Sequence, residues 1–364
     1  MDALDWEALL RLAALHRVTP LLYFALQPHA DMLPASAWGM LGAHIDKLRR
    51  RNLIMATEIK NVIPLLNEHE IVVMPFKGIP LAQRAYRSLF ARDVRDLDIV
   101  VPVTTVERAR EVLIGDGYRW IEAYLTPNEQ RTYVARKTHY TLHHDERGIH
   151  LELHWGLMRA PDVAGRGMAD LWKRARTENF LGAPTVVLAP EDELFALLLH
   201  GSKHGWSDLI WACDVAAWLD EFGAAVDWNT VYARATALDA RRFVALGVLM
   251  VGALLGVTFP DTAWRAAWDD ASARALMRAY TVDYFGARAA PGSLTPSEFR
   301  RQWQLRESWR TRWQYARSQL DAWQPSPRDQ AFVRLPKGLH GLYALVRPVR
   351  MAVEYGGALL RGKK

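Results

Sequence analysis

At 364 residues, half of them apolar, the chain is long enough for two or three packed domains and is expected to be globular. A single cysteine, Cys213, excludes an internal disulfide framework and fits a reducing cytoplasm, the compartment expected for it. The net charge of +6 is modest for this size, and no repeat of fixed period points to a solenoid.

The first segment, 1–68, reads as helical. MDALDWEALLRLAALH is acidic and amphipathic, unlike a signal peptide; a break falls around Pro28–Pro34, and a long periodic run follows over 37–66. IVVMPF (71–76) reads as a buried strand and IPLAQRAYRSL (79–89) as a helix, with Lys77-Gly78 between them. At such a turn Gly78 lets backbone approach a phosphate, the helix N-terminus favours the anion, and Lys77 adds a point charge. The next strand is RDLDIVVPV (95–103). Residues i and i+2 of a strand share a face, so Asp96 and Asp98 present two carboxylates side by side while Leu97, Ile99 and Val101 enter a core. TTVERAREVLIGDGY (104–118) reads as a helix capped by Thr104 or Thr105 and stopped at Gly115–Gly117. The hairpin signal Asp145-Glu146-Arg147-Gly148 leads into HLELHW (150–155), where His150, Glu152 and His154 share one face. PTVVLAP (184–190) is a short strand bracketed by prolines.

Alone, a D-x-D pair is usually the solvent face of an edge strand. A third carboxylate changes the balance. If the strand carrying Glu152 lies beside the one carrying Asp96 and Asp98, the cluster repels itself too strongly to be structural unless cations fill it. A hard dication such as Mg²⁺ takes oxygen ligands of this kind, completed by substrate phosphates.

The order of strand, glycine-containing turn, helix, D-x-D strand and later single-carboxylate strand resembles the DNA polymerase beta-type nucleotidyltransferase superfamily. More narrowly, FKGIPLAQRAYRSLFARDVRDLDIVVP, GDGYRW, HLELHW and LLLHGSKHGWSDLIWACDVAAWL are similar to a bacterial family of largely uncharacterised nucleotidyltransferases, over roughly residues 70–260. The Gly-Ser common in the superfamily is replaced here by Lys77-Gly78, a pair the narrower family also shows. The resemblance implies an NTP co-substrate, ATP among the candidates, with two Mg²⁺ (or Mn²⁺) ions held by Asp96 and Asp98, and with Glu152 completing the site nearer the acceptor as metal ligand or as base. Arg92 matches a family arginine and is a phosphate candidate, with pairing to Asp93 as the plain alternative. Lys137 and His139 precede the second hairpin and are candidates for the acceptor side; His154, on the strand face of Glu152, reads equally as support behind a metal ligand or as a plain surface histidine. His143 and His144 are read as hairpin residues without catalytic duty.

From Glu191 onward the periodicity is helical only. FVALGVLMVGALLGVTF (243–259), interrupted by three glycines, falls short of a membrane span and reads as a buried helix. His200 and His204 stand four apart on one helix face with Lys203 nearby, but Gly201 occupies the position of the acid in H-E-x-x-H, so zinc hydrolysis is unsupported. On spacing alone His200 is an interior histidine and Lys203 a surface charge. The resemblance instead places Lys203, and with it His200, against the nucleotide, and leaves Asp214 as a cap, a bridge to a cation or a base contact. In RRQWQLRESWRTRWQYAR (300–317) the spacing of Leu305, Trp309, Trp313, Ala316 and Leu320 predicts a helix whose Trp face packs on the core, with its arginines forming, as a reading compatible with that one, a basic surface for a phosphate-rich or acidic partner. The tail 334–364, with seven Lys/Arg against Glu354, is a candidate for anionic lipid, though a solubilising tail is the commoner case.

The expected fold is α+β: a helical segment 1–68, a small mixed-sheet nucleotidyltransferase core 69–188, a helical domain 189–290 closing the nucleotide cleft, and a basic Trp/Arg-rich helical extension 291–364. The expected function is Mg²⁺-dependent NMP transfer to a hydroxyl or phosphate acceptor, for which the resemblance implies a ribosomally made peptide, phosphorylated or not. The rival readings are an inactive member of the fold that binds a peptide or other acidic partner, and, ranked last for want of a recognition motif, a nucleic-acid binder.

Overall fold

The computed structural model describes residues 4–123, 130, 133–135, 137–157, 167–285, 295–321, 327–343, 345–347 and 349–350. Its N-terminal segment is organised by a 34-residue helix, α3 (Ala35–Glu68), which buries Leu41, Ile45, Leu48, Asn52, Met55, Ile59, Val62 and Leu66 at three- and four-residue spacing. Before it come α1 (Trp6–Leu15), capped where the Asp5 carboxylate accepts the Ala8 N–H at 2.9 Å, and α2 (Thr19–Leu26). A 3₁₀ turn, Gln27–Met32, fills the proline-marked break.

The central sheet holds β1 (Met74–Phe76), β2 (Leu97–Val100), β3 (Tyr118–Trp120), β4 (His139–His144) and β5 (Ile149–His154), in the spatial order β1-β2-β5-β4-β3. The β2–β5 pair is parallel and the other pairings are antiparallel, so the sheet is mixed. Period-2 alternation sends Leu97, Ile99, Tyr140, Leu142, Leu151 and Leu153 to one face. There they pack with Ile59, Val62 and Leu66 of α3 and with Val106, Ala109 and Leu113 of α5 (Val106–Gly115). The opposite face is left for chemistry.

Three local details depart from expectation. The helix after the Lys77-Gly78 turn, α4 (Gly78–Arg84), ends before Leu89, because Arg87 takes a positive φ of 51° that no α-helix tolerates. The hydroxyl of Thr105 donates to the Pro102 carbonyl at 3.1 Å and caps no helix N–H. Strand β1 covers only the second half of IVVMPF.

Beyond α6 (Met168–Arg174) and a hairpin of β6 (Arg176–Phe180) and β7 (Ala183–Val187), the described chain is helical. Helices α7 (Pro190–Lys203), α8 (Leu209–Phe222), α9 (Trp228–Ala237), α11 (Asp261–Trp268) and α12 (Ala271–Phe285) surround α10 (Arg241–Leu255). Every residue of α10 from Phe243 to Val251 is buried, which is where the apolar run goes. Among the described residues no helix is long and apolar enough to cross a membrane. Gly256, at φ +68°, ends α10 in the left-handed conformation.

The Trp/Arg-rich region forms α13 (Pro296–Leu305) and α14 (Trp309–Asp321), followed by α15 (Pro327–Phe332). Here the sequence expectation fails. Trp309 and Trp313 are 68% and 59% exposed and stack on each other, while Thr311 and Tyr315 face inward. The reason is polar anchoring: the Thr311 and Ser308 hydroxyls donate to Asp239, and the Arg306 guanidinium lies 4.0 Å over the Tyr315 ring. These contacts rotate the Trp stripe outward. The side chain of Leu320 and the tail from 351 lie outside the described residues; within the described part of the tail, Arg347 and Arg350 pair with Asp329 of α15.

Candidate active site

The sheet face opposite α3 and α5 forms the wall of a cavity of about 260 Å³, roofed by the C-terminal turn of α7 and the start of α8. Its wall is set by strand register. Parallel pairing places Asp98 of β2 beside Glu152 of β5, and antiparallel pairing places His139 of β4 opposite His154 of β5. Asp96, one residue before β2, lines the same cavity. Of the residues singled out from the sequence, the cavity brings together Lys77, Arg92, Asp96, Asp98, Glu152, His200 and Lys203, with His139 and His154 beside them. Gly78 sits behind them at φ +36° with the Val94 side chain and Asp96 carbonyl oxygen about 3.4–3.5 Å from where a Cβ would stand.

The centre of the wall is a row of alternating charge. Lys77 Nζ lies 3.1 Å from Asp98 Oδ1, His154 Nε2 lies 2.8 Å from the same oxygen, and that nitrogen is also 3.1 Å from Glu152 Oε2. Burial would raise the Asp98 pKa, but Lys77 and His154 outweigh it and hold the carboxyl well below its usual range. Glu152 follows the same pattern: burial opposes ionisation, the His154 hydrogen bond wins, and its pKa settles at about 2. His154 is raised, its two carboxylate bonds overcoming the cost of burying an imidazolium. Asp96 goes the other way. Burial and the neighbouring Asp98 charge raise its pKa, with Lys77 opposing.

Around this row the cations differ in what they do. Arg92 is spent on structure: its Nε and Nη2 each bond Asp214 of α8 at 2.8 Å, and the Tyr86 hydroxyl donates to the same carboxylate at 2.8 Å. This settles the partners of Asp214, which the sequence left open, and removes the Arg92–Asp93 alternative. Asp93 instead receives Arg51 and Arg95. Lys203, at the C-terminal end of α7, lines the cavity on the side of the helical half. His200 and His204 lie within 4.7 Å of each other, ring centre to ring centre, with Trp211 beyond them. Burial first, then the nearby lysines, drives both imidazoles neutral, His204 to about 3.

Two lining residues were not legible in the sequence. Arg17, two residues after α1, lines the cavity with Asp96; its Nη2 donates to the Asp93 carbonyl at 2.9 Å, and its buried Nε has no hydrogen-bond partner among the described residues. Its backbone sits at φ 62°, which turns the side chain inward. Trp211 supplies the one large aromatic surface facing the cavity from α8. Lys137 is exposed and does not line the cavity; His143 faces His150 at the far end of β4, and His144 packs against Tyr118.

The geometry can be set against known proteins. A family model described as uncharacterised nucleotidyltransferase matches residues 2–256, and the chain belongs to that family. A comparison of the sequence with curated proteins finds no match. Among solved structures, ANT(2″)-Ia, crystallised with adenylyl-2″-tobramycin, aligns over 51% of this chain and 97% of its own at 13% identity, with a TM-score of 0.36. A solution structure of ANT(2″)-Ia, an antibiotic-resistance factor, gives the same identity and score over 91% of its length. A nucleotidyltransferase-like protein from Paracoccidioides brasiliensis aligns over 51% of this chain and 93% of its own at 15% identity, TM-score 0.32.

Proposed function

We propose that this member of the uncharacterised nucleotidyltransferase family moves a nucleoside monophosphate from an NTP to a hydroxyl or phosphate acceptor, using Mg²⁺ or Mn²⁺. The observation that carries the reading is the β2–β5 register, which sets Asp98 beside Glu152 with Asp96 on the same cavity wall. The donor set fits a hard dication. The oxygens of Asp96, Asp98 and Glu152 would hold it; burial first, and then the Asp98 charge, raise the Asp96 pKa against the opposing Lys77. When bound, such an ion neutralises the triphosphate and lowers the pKa of the attacking group.

The chain's own residues position and neutralise. The acceptor oxygen attacks the α-phosphorus, a hydroxyl acceptor giving its proton to solvent; the bond from that phosphorus to the α–β bridging oxygen breaks, and pyrophosphate leaves opposite the attack. Lys77 from the core, Arg17 from the N-terminal segment and Lys203 from the helical half supply positive charge around the cavity for the triphosphate. Arg92 acts through Asp214, fixing the α8 wall. Glu152, with its carboxyl held at about 2, serves better as an ion ligand than as a base, since a proton acceptor works best near the operating pH.

The test is direct: full-length protein with labelled ATP, GTP, CTP or UTP, Mg²⁺ or Mn²⁺, and a panel of acceptors, scored by mass spectrometry for an NMP adduct. Ribosomally made peptides, phosphorylated and not, belong in the panel because of the motif resemblance. An adduct that Asp96→Asn abolishes supports the reading. No adduct with any acceptor, alongside intact NTP binding, would leave a nucleotide-binding module in place of an enzyme.

A further inference from the structure

The all-oxygen cluster does not account for the histidines that flank it. His139 opens β4 directly opposite His154, their rings 5.1 Å apart between centres. One donor atom each from His139, Glu152 and His154 lies within 4.8 Å of the others. Bonds of about 2.1 Å to a single ion put its ligand atoms roughly 3–4 Å apart, so small side-chain rotations close this set. The three residues stand on two hydrogen-bonded strands, which fixes their Cβ positions before any ion arrives.

The donor chemistry is selective. Two imidazole nitrogens and one carboxylate oxygen suit borderline dications, whereas Mg²⁺ prefers oxygen and keeps its waters. We propose that His139, Glu152 and His154 form a binding site for a transition-metal dication of the Mn²⁺, Co²⁺ or Zn²⁺ class, at the acceptor end of the carboxylate wall.

One further feature supports the site. His154 Nε2 faces both Asp98 Oδ1 at 2.8 Å and Glu152 Oε2 at 3.1 Å, and a single N–H cannot be aimed well at two acceptors. When a dication binds, that proton leaves to solvent and the ion takes its place between the imidazole nitrogen and the Glu152 carboxylate. The role of the ion in transfer rests on the function proposed above; its binding does not.

The experiment uses tag-free, full-length protein without nucleotide, titrated with Co²⁺ and followed by visible absorption, with Zn²⁺, Mn²⁺ and Mg²⁺ compared by calorimetry. The expected result is a Co²⁺ band that His139→Ala and Glu152→Gln weaken by at least tenfold in affinity, and that excess Mg²⁺ does not remove. His143→Ala, which alters the other histidine pair of β4 and β5, should leave the titration unchanged. His139 is the decisive position, because it lies at the strand end and its replacement leaves the His154–Asp98 contact in place; an unchanged melting temperature of His139→Ala confirms that the fold is intact. Co²⁺ binding equal in wild type and His139→Ala, or complete displacement by Mg²⁺, overturns the proposal. His139-dependent metal binding without nucleotidyl transfer would overturn the functional reading and leave this site standing. Transfer supported by Mg²⁺ with no His139-dependent binding would do the reverse.

Discussion

Asp96 and Asp98 stand two residues apart and have opposite effects on the metal-free fold. Asp98 is depressed by Lys77 and His154, so its ionised form favours folding above the unfolded carboxyl pKa, and that stability is lost as pH falls through the lower folded value. Asp96 is raised by burial and by Asp98, so the folded state holds its proton more tightly, and stability falls as pH climbs from the unfolded value through the folded one. Both Asn variants are expected to lose transfer by several orders of magnitude. Their metal-free melting curves at pH 7 should part company. Asp98→Asn leaves Lys77 and His154 without their carboxylate and should cost on the order of 3 kcal/mol. Asp96→Asn should melt higher than wild type, with the gain vanishing near pH 4. Equal and unchanged melting temperatures would contradict the charge row. At this scale the three carboxylates were legible, because strand periodicity alone puts Asp96 with Asp98 and Glu152 with His154. Their mutual approach followed once the two strands became neighbours. Arg17 was not legible: nothing in its local sequence sets it apart, and only the turn after α1 brings it beside Asp96. The Arg92–Asp214 pair spans 122 residues, a separation that no local spacing can encode.

At the scale of elements, apolar runs and turn signals located most helices and strands, and polar anchoring decided what they did not. The Trp stripe of α14 has a helical period whichever way it faces; Asp239, in the turn between α9 and α10, sets its direction through Thr311 and Ser308. A similar long-range demand fixes the end of α7, which holds His200 and Lys203. A Cβ on Gly201 would fall 2.7 Å from the Trp206 ring, and that ring is already pinned. Its Nε1 donates to the Ser202 hydroxyl at 3.0 Å, and Gly247 of α10 abuts its far side. Gly201→Ala is therefore expected to destabilise by about 1–3 kcal/mol through overpacking. It should also weaken NTP binding by moving the turn that carries Lys203. Gly39→Ala is the control: the helix's own backbone aside, no described residue comes within 4 Å of where its Cβ would stand on α3, so a gain of roughly 0.5–1 kcal/mol is expected from helix propensity. Urea midpoints of the two variants check both signs.

Across the whole molecule the cavity draws on three stretches of chain, and each contributes a cation by a different route. Lys77 comes from the sheet core and Arg17 from the N-terminal helices, while Lys203 is held on the helical half. The Arg92–Asp214 pair, with Tyr86, ties the core to α8. Comparing its loss with the loss of Lys203 tells a structural effect on the cavity from a direct one. Asp214→Asn keeps one hydrogen bond but removes the buried charge opposite Arg92, so it should lower stability and loosen nucleotide binding together. Lys203→Ala should lower nucleotide binding with the smaller change in stability. Lys77 is a poorer probe of nucleotide contact, since it also neutralises Asp98, and Lys77→Ala disturbs the carboxylate row as well as any phosphate. If Lys203 meets the triphosphate, its neutralisation removes one charge contact from a multiply charged ligand. The expected cost is about tenfold in NTP affinity, roughly 1.4 kcal/mol, with little change in the rate from bound substrate. Lys203→Arg should recover part of the loss, because a point contact depends on charge more than on the fork geometry of a guanidinium. NTP titrations of wild type, Lys203→Ala and Lys203→Arg in Mg²⁺ read this directly. Affinity unaltered in Lys203→Ala would mean that the helical half closes the cavity without touching the phosphates, and that Lys77 and Arg17 supply their positive charge from the core side alone.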